Sequence, residues 1–331
     1  MAIKNEDWFK NVVSGARFLK ENISQLMMIE INHGYIGQFE KLETRNTTTG
    51  ESMVILPSCG ANITELTLVK RNEAQSIIHG ETNPQALIDA RSFKSAQMFP
   101  FPNRVNAGKW AWKDKELKLP INFPKEGHAI HGLVFNKPFT YKQDGDSIIF
   151  THQSSGETPG YPFSYTLTLT YLLQNGLTIT TTVKNTGKED LPFGCGWHPY
   201  LMLAMRVNLL NLKMPQVLQI LVDDRMIPTG EKIPYDKFRS QTRMGDTSLD
   251  TGFQIIGKGR QEVRVSDENT TIVSWQDADK FPYVQVYTPK HRDSIAIEPM
   301  SCVTNALNSK EGLTILKPGK EWNGQYGLQI Q

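Results

Sequence analysis

From Tyr165 to Asn185 the chain reads YTLTLTYLL, then Gln174-Asn175-Gly176, then LTITTTVKN. Apolar and threonine residues alternate with a period of two on both sides of an Asn-Gly pair. Such a run has one face for a core and one for water only if the backbone is extended, and Asn-Gly supplies the positive φ angles of a two-residue hairpin turn. This stretch therefore predicts two long antiparallel strands, and most of the chain repeats its grammar. MMIEINHGY, QFEKLETRN, ESMVILPS and ANITELTLV come before it; the last carries Ile63, Leu66 and Leu68 on its apolar side. SIIFTHQ comes just ahead of the hairpin, and EVRVSD, TTIVSWQ, YVQVYTP and SIAIEP follow it. Val, Ile, Thr and aromatic residues fill these runs, as half-buried antiparallel strands require.

The first 27 residues follow a different rule. Trp8, Val12, Ala16, Leu19, Ile23 and Leu26 recur at helical spacing after Asp7, a capping residue, so residues 1–27 predict one amphipathic helix. Covering an open sheet and forming a dimer contact are both open to it; its mixed charges disfavour a membrane surface. Residues 28–331 contain no second long helical pattern, repeat or linker, and are expected to form one large antiparallel β domain, a sandwich of big sheets. Long loops are expected between about 99 and 138 and between 223 and 252, where Pro, Gly, Asn and charge concentrate.

Composition narrows the function. A net charge of +2 without basic runs argues against nucleic acid. Cys59, Cys195 and Cys302 are three, widely spaced and without a CxxC pair, so they read as buried thiols of a reducing compartment. With no leader-like start and no apolar run of about 18 residues, the expected location is the cytoplasm, away from membranes. GxSxG, P-loop and βαβ-placed GxGxxG motifs are lacking, which leaves serine hydrolysis and nucleotide chemistry without support.

Four stretches carry polar groups that a plain β core does not need. In FPFPNRVNAGKW two prolines stiffen the approach to Asn103 and Arg104, the latter either a surface ion-pair member or a planar fork for ligand oxygens. In EGHAIHGLVF, His128 and His131 stand three apart on a strand entry, so they face opposite ways and do not form a metal pair; His131 is expected inside and His128 outside. In GWHPY, Pro199 holds His198 extended, which suits either a presented acid–base group or an aromatic turn with an idle histidine. In SIAIEPMSCVTNALN, Glu298 stands on the strand face opposite Ile295 and Ile297, either half-solvated and idle or desolvated into a base. Together these are an arginine, histidines and a glutamate at strand ends: acid–base equipment without a nucleophile or a metal.

Taken in order, these stretches resemble the aldose 1-epimerase (galactose mutarotase) family. The pattern comprises Pro102-Asn103-Arg104 with Gly108, His131-Gly132, His198-Pro199-Tyr200, Ile227-Pro228-Thr229-Gly230, Asp250 before Gly252-Phe253, and Glu298-Pro299 with the later NALN. The resemblance covers about residues 28–331. It implies an all-β, galactose-mutarotase-like β-supersandwich and interconversion of the α and β anomers of a free aldose, with no cofactor. By the same resemblance Glu298 is the general base acting on the sugar O1 hydroxyl and His198 the acid acting on ring oxygen O5. Arg104, Asn103, His131 and Asp250 would bind the sugar. The implied partner is an aldohexose or pentose, and the chain a monomer or homodimer. Two alternatives accompany this reading: a hexose-6-phosphate 1-epimerase, with Lys109, Lys113, Lys115 and Arg206 as candidate phosphate donors, and a non-catalytic sugar sensor. The chain departs from the best-known members in the Phe-Pro-Phe-Pro before Asn103 and in Gly-Trp and Pro-Tyr-Leu around His198.

Overall fold

The computed structural model describes residues 28–89 and 92–331. The helix expected over residues 1–27 lies outside them. Three large antiparallel sheets dominate. A five-stranded sheet runs in sequence order through Ile29–Ile36, Phe39–Asn46, Ser52–Leu56, Asn62–Lys70 and Glu73–Ser76. A nine-stranded sheet has the order Thr140–Asp144, Ser147–Ser155, Ser164–Leu173, Leu177–Asn185, Glu321–Ile330, Thr271–Asp277, Arg260–Ser266, Asn211–Lys213 and Thr242–Arg243. The eight-stranded sheet, which carries Asp250, Glu298 and the segment around His198, runs Pro228–Tyr235, Val217–Val222, Asp250–Ile255, Tyr283–Tyr287, Ile295–Met300, Gly196–Trp197 and Gln97–Met98. Its last strand, Tyr200–Leu201, pairs separately with Ile295–Met300. The only helices among the described residues are short, Pro84–Asp89 and Ala306–Ser309 with two 3₁₀ turns, and no helix there is long and apolar enough to cross a membrane.

The alternating pattern becomes burial where it was read. Tyr165, Leu167, Leu169, Tyr171 and Leu173 are buried, and the residues between them are half exposed. The hairpin closes from Leu173 to Leu177, so three residues form its loop rather than two. Asn175 and Gly176 take φ of 52° and 112°, and Gln174 N–H donates to the Gly176 carbonyl. In the first sheet Ile63 and Leu66 are both fully buried although they stand an odd number of residues apart. A register shift between Val54 and Ile55 on the partner strand absorbs the extra residue.

The nine- and eight-stranded sheets meet through aromatic and polar contacts. Trp197 stacks on Tyr326 with ring centroids 5.8 Å apart. Next to it, Gln97 donates to the Tyr171 hydroxyl and accepts from the Tyr326 hydroxyl, both at 2.9 Å. These groups are buried, and pairing them avoids the desolvation cost of orphaned donors. Cys59, Cys195 and Cys302 are free and buried, with burial pushing the Cys59 thiol up to about 11. The two stretches expected as long loops hold more strand than their composition implied. Pro228–Tyr235 is an eight-residue edge strand, with Pro228 at its first position and Pro234 on the sheet edge, the places where a missing N–H costs nothing.

Candidate active site

The Ile295–Met300 strand lies between Tyr283–Tyr287 and the Gly196–Leu201 segment, in the middle of the eight-stranded sheet. All six of its residues are buried. Glu298 is therefore placed on a central strand with almost no solvent, not at an idle sheet edge. Opposite it, His198 sits in a break between Gly196–Trp197 and Tyr200–Leu201. The backbone is held there from both sides: His198 N–H donates to the Ala96 carbonyl at 3.0 Å, and the His198 carbonyl accepts from Ser95 N–H at 2.9 Å. Pro199 has no N–H to satisfy where the strand is interrupted, and its carbonyl accepts from Ile297 N–H at 3.4 Å. Strand alternation then sends Trp197 into the core against Tyr326 and His198 the other way. Trp197 does not line the cleft that His198 faces.

His131 reaches the same point from another part of the chain. Its N–H donates to the Asn103 carbonyl at 2.9 Å, and its φ of 58° turns the chain sharply before Gly132. A Cβ on Gly132 would meet the Phe99 carbonyl oxygen at 2.2 Å, so glycine is required where these two backbones touch. His128, expected at the surface, is fully buried. Its Nδ1 accepts from Ala107 N–H and its Nε2 bonds the Arg225 carbonyl, which makes it a loop anchor. The two histidines do not act as a pair; His131 pairs with His198 instead.

The resulting geometry is compact. His198 Nε2 lies 3.4 Å from Glu298 Oε1, and the His131 and His198 rings meet edge to face at 4.8 Å. His131 Nδ1 lies 2.9 Å from Met98 Sδ. Arg104 donates from Nε to Glu126 Oε2 at 2.7 Å and from Nη1 to Asn103 Oδ1 at 3.1 Å. Asn305, from the NALN stretch, supports this arginine by donating its N–H to the Arg104 carbonyl and accepting from Asn106 N–H. Asp250 begins its strand and accepts from Gln285 Nε2 at 2.7 Å; Gln285 is the cross-strand neighbour of Glu298. Arg104, His131, His198, Asp250 and Glu298 all line one open cleft of about 640 Å³. All five are thus brought together, with Asn103 at the cleft wall.

Burial sets the electrostatics. Desolvation, then the charge of Asp250, holds the Glu298 carboxyl well above the usual range, with Arg104 acting the other way. Desolvation holds His198 below the ordinary imidazole value, and desolvation followed by His198 and Arg104 holds His131 well below it. Asp250 presents its surface to the cleft, whose walls raise its carboxyl while Arg104 and Gln285 lower it. Glu298 Oε2 and His198 Nδ1 have no hydrogen-bond partner among the described residues. Such orphaned, buried and charge-poor groups facing a cleft are what a site awaiting a polar ligand presents.

The four cations considered as phosphate donors lie elsewhere. Lys109, Lys113 and Lys115 belong to the Lys109–Trp112 and Lys115–Lys118 hairpin, and Lys113 pairs with Glu189. Arg206 bonds the His291 carbonyl and Asp293. The cations that do line the cleft are Arg104, Lys94, Lys125 and Lys290. Sequence alone also missed Glu126, Gln285 and Met98, each fixed only by a contact across distant segments.

With fold and site described, the class of protein follows. The architecture is the galactose-mutarotase-like one. A galactose mutarotase-like protein of Clostridium acetobutylicum superposes with a TM-score of 0.79 at 22% identity, over 93% of this chain and 99% of that one. The GalM/aldose epimerase homologue of Caenorhabditis elegans gives 0.74 at 19%, over 86% and 96%. Galactose 1-epimerase of Lactobacillus acidophilus gives 0.74 at 18%, over 92% and 99%. The sequence model of the aldose 1-epimerase family matches residues 43–329, and the chain belongs to that family. Among curated relatives, the uncharacterised protein YihR of Escherichia coli K12 is 27% identical over 232 residues, covering 67% of this chain and 74% of YihR.

Proposed function

We propose that the protein is an aldose 1-epimerase that interconverts the anomers of a free hexose or pentose, with Glu298 and His198 as its proton-transfer pair. The observation that carries this is the 3.4 Å approach of His198 Nε2 to Glu298 Oε1 at the buried end of an open cleft. Mutarotation moves protons on two oxygens bonded to the same carbon, so its acid and base have to be neighbours. Burial favours the uncharged pair, in which the single shared proton sits on Glu298. Transfer to His198 Nε2 gives the working ion pair, and the charge of Arg104 favours its carboxylate half. Glu298 then takes the proton from O1 while the C1–O5 bond breaks and His198 protonates O5. The open-chain aldehyde turns about C1–C2, and the two groups reverse roles as the ring closes on the other face. Each such proton transfer contributes roughly 10²–10⁴-fold.

Arg104, Asn103, His131 and Asp250 hold the sugar in this reading, Arg104 through its planar fork and Asp250 by accepting from hydroxyls. Residues 28–331 act as one unit, which is supported by bonds between the first sheet and the long hairpin: Asn46 donates to the Leu173 carbonyl, and Glu51 accepts from Gly176 N–H. The test is polarimetric. Added protein should speed the optical-rotation change of freshly dissolved α-glucose or α-galactose, and Glu298→Gln should abolish the gain while the fold persists. An undiminished rate in that variant would overturn the assignment. Running the 6-phosphates alongside separates a neutral from a phosphorylated substrate, and binding without any acceleration would point to a sensor.

A further inference from the structure

We infer that His131, His198 and Glu298 form a site for one divalent transition-metal ion of the zinc type, and that an ion held there excludes the sugar. The first half stands without the proposed function; only the exclusion rests on it.

One ligand atom from each of the three residues lies within 4.8 Å of the other two. A cation equidistant from atoms so spaced sits at most about 2.8 Å from each, so a contraction of less than 1 Å per ligand reaches the roughly 2.0–2.2 Å of zinc–nitrogen and zinc–oxygen bonds. One edge of the triangle needs no contraction. His198 Nε2 to Glu298 Oε1 is already 3.4 Å, the separation that two bonds of about 2.0–2.1 Å make at a tetrahedral angle. Two imidazoles and a carboxylate with the fourth position open is a donor set of catalytic zinc sites. The fourth position here is the cleft itself, which also supplies the entry path.

The surroundings of His131 and Glu298 fit the same use. A metal-bound histidine is oriented by what its other nitrogen meets. His131 Nδ1 lies 2.9 Å from Met98 Sδ, a weak acceptor that takes the N–H and leaves Nε2 with the lone pair. Glu298 Oε2 has no partner and is free to complete a second bond to the ion. Two of the three ligands, His198 and Glu298, are the groups the proton chemistry needs, since neither can bind the ion and exchange a proton at the same atom. Zinc and anomerisation therefore compete for one site.

The full chain, stripped with a chelator and dialysed, is titrated with zinc chloride by calorimetry and with cobalt(II) by visible absorption. The expected result is one ion per chain, with the intense d–d bands of low-coordinate cobalt and no thiolate charge-transfer band. Affinity should drop at least tenfold in His131→Gln and by a smaller factor in Met98→Leu. Zinc should slow sugar turnover competitively, with recovery on adding EDTA. Absence of saturable binding to the wild type, a charge-transfer band reporting the buried cysteines, or equal affinity in a folded His131→Gln would overturn the site. Should His131→Gln not fold, the wild-type cobalt spectrum decides. Turnover that is unchanged or accelerated by bound zinc would overturn the exclusion. A protein that turns over no sugar still gives a definite answer in the titration, so the two proposals fail separately.

Discussion

The Tyr200 ring lies flat against the His198 imidazole, with centroids 4.9 Å apart and planes 5° from parallel. The two residues are two apart in an extended segment and so share a side. Tyr200 is itself fixed, since its hydroxyl donates to the Ser92 carbonyl at 2.9 Å and Tyr287 packs edge-on against it. An aromatic face favours a cation above it, which would lower the energy of the imidazolium formed in the proposed proton transfer. Tyr200→Leu is expected to lower kcat about tenfold with KM little changed, as a loss of about 1.4 kcal/mol in the transition state implies. Tyr200→Phe keeps the face and should keep most of the rate. Polarimetric kinetics on both variants checks this, and an unaltered kcat in Tyr200→Leu would reduce the stack to packing.

Arg104 has two of its three nitrogens engaged, Nε by Glu126 and Nη1 by Asn103. Nη2 is the nitrogen that the proposed sugar contact would use. Lysine at this position keeps the charge and loses the fork that Glu126 and Asn103 hold in place. Arg104→Lys should therefore raise KM tenfold or more, the equivalent of one charge-assisted hydrogen bond worth roughly 1.5–3 kcal/mol. Glu126→Gln should raise it less, because the fork remains and only its orientation loosens. If KM for the sugar is the same in Arg104→Lys as in the wild type, Arg104 holds the loop and not the ligand.

Residues whose environment is set by their own strand were legible in the sequence. The Tyr165–Leu173 alternation gave its burial correctly because period two leaves no other way to hide five apolar side chains. Glu298 and His198 could be found because proline and an apolar opposite face mark them locally. What could not be read depends on register between distant strands. The Gln285–Asp250 bond needs the pairing of Tyr283–Tyr287 with Asp250–Ile255, and the Met98–His131 contact joins segments with no sequence link. His128 went wrong for a related reason. Alternation sends one of two residues three apart to the other face, but that face is solvent only where nothing covers it, and here the Arg225 carbonyl and Ala107 do. The Pro228–Tyr235 strand was hidden by its prolines, which an edge strand tolerates and a central one does not.

Gly132 and Gly127 offer a controlled comparison of backbone effects. Both have positive φ, 78° and 72°. A Cβ at Gly132 meets the Phe99 carbonyl oxygen at 2.2 Å, whereas one at Gly127 meets nothing within 4 Å. Gly127→Ala should cost only the left-handed penalty, roughly 1–2 kcal/mol. Gly132→Ala adds a backbone clash that neither chain can avoid without moving His131, so roughly 3 kcal/mol or more is expected. Urea unfolding of the two variants measures the difference, and equal losses would show that the close approach to Phe99 yields freely.

The opposed shifts of Glu298 and His198 make separate predictions for rate and stability. At their ordinary values of 4.5 and 6.5, one carboxylate and one imidazolium would coexist only between those pH values. With Glu298 held up and His198 held down, the pair keeps its single proton over a wider range, so kcat/KM should be level through neutral pH. Its alkaline fall should mark the loss of the Glu298 proton. For stability, the native Glu298 holds its proton above pH 4.5, where the unfolded chain has lost it. The native state therefore binds more protons there, and stability falls as pH rises from 4.5 through the native value, by at most about 1.4 kcal/mol per pH unit. His131 and His198 act in the other direction, since their contribution is complete above pH 6.5 and is lost as pH falls below it. Glu298→Gln removes only the first effect. The stability of Glu298→Gln relative to the wild type should thus increase between pH 4.5 and 7.5 in urea titrations. A difference that stays constant across that range would mean Glu298 is ionised in the native protein throughout, and it would then have no proton to hand to His198.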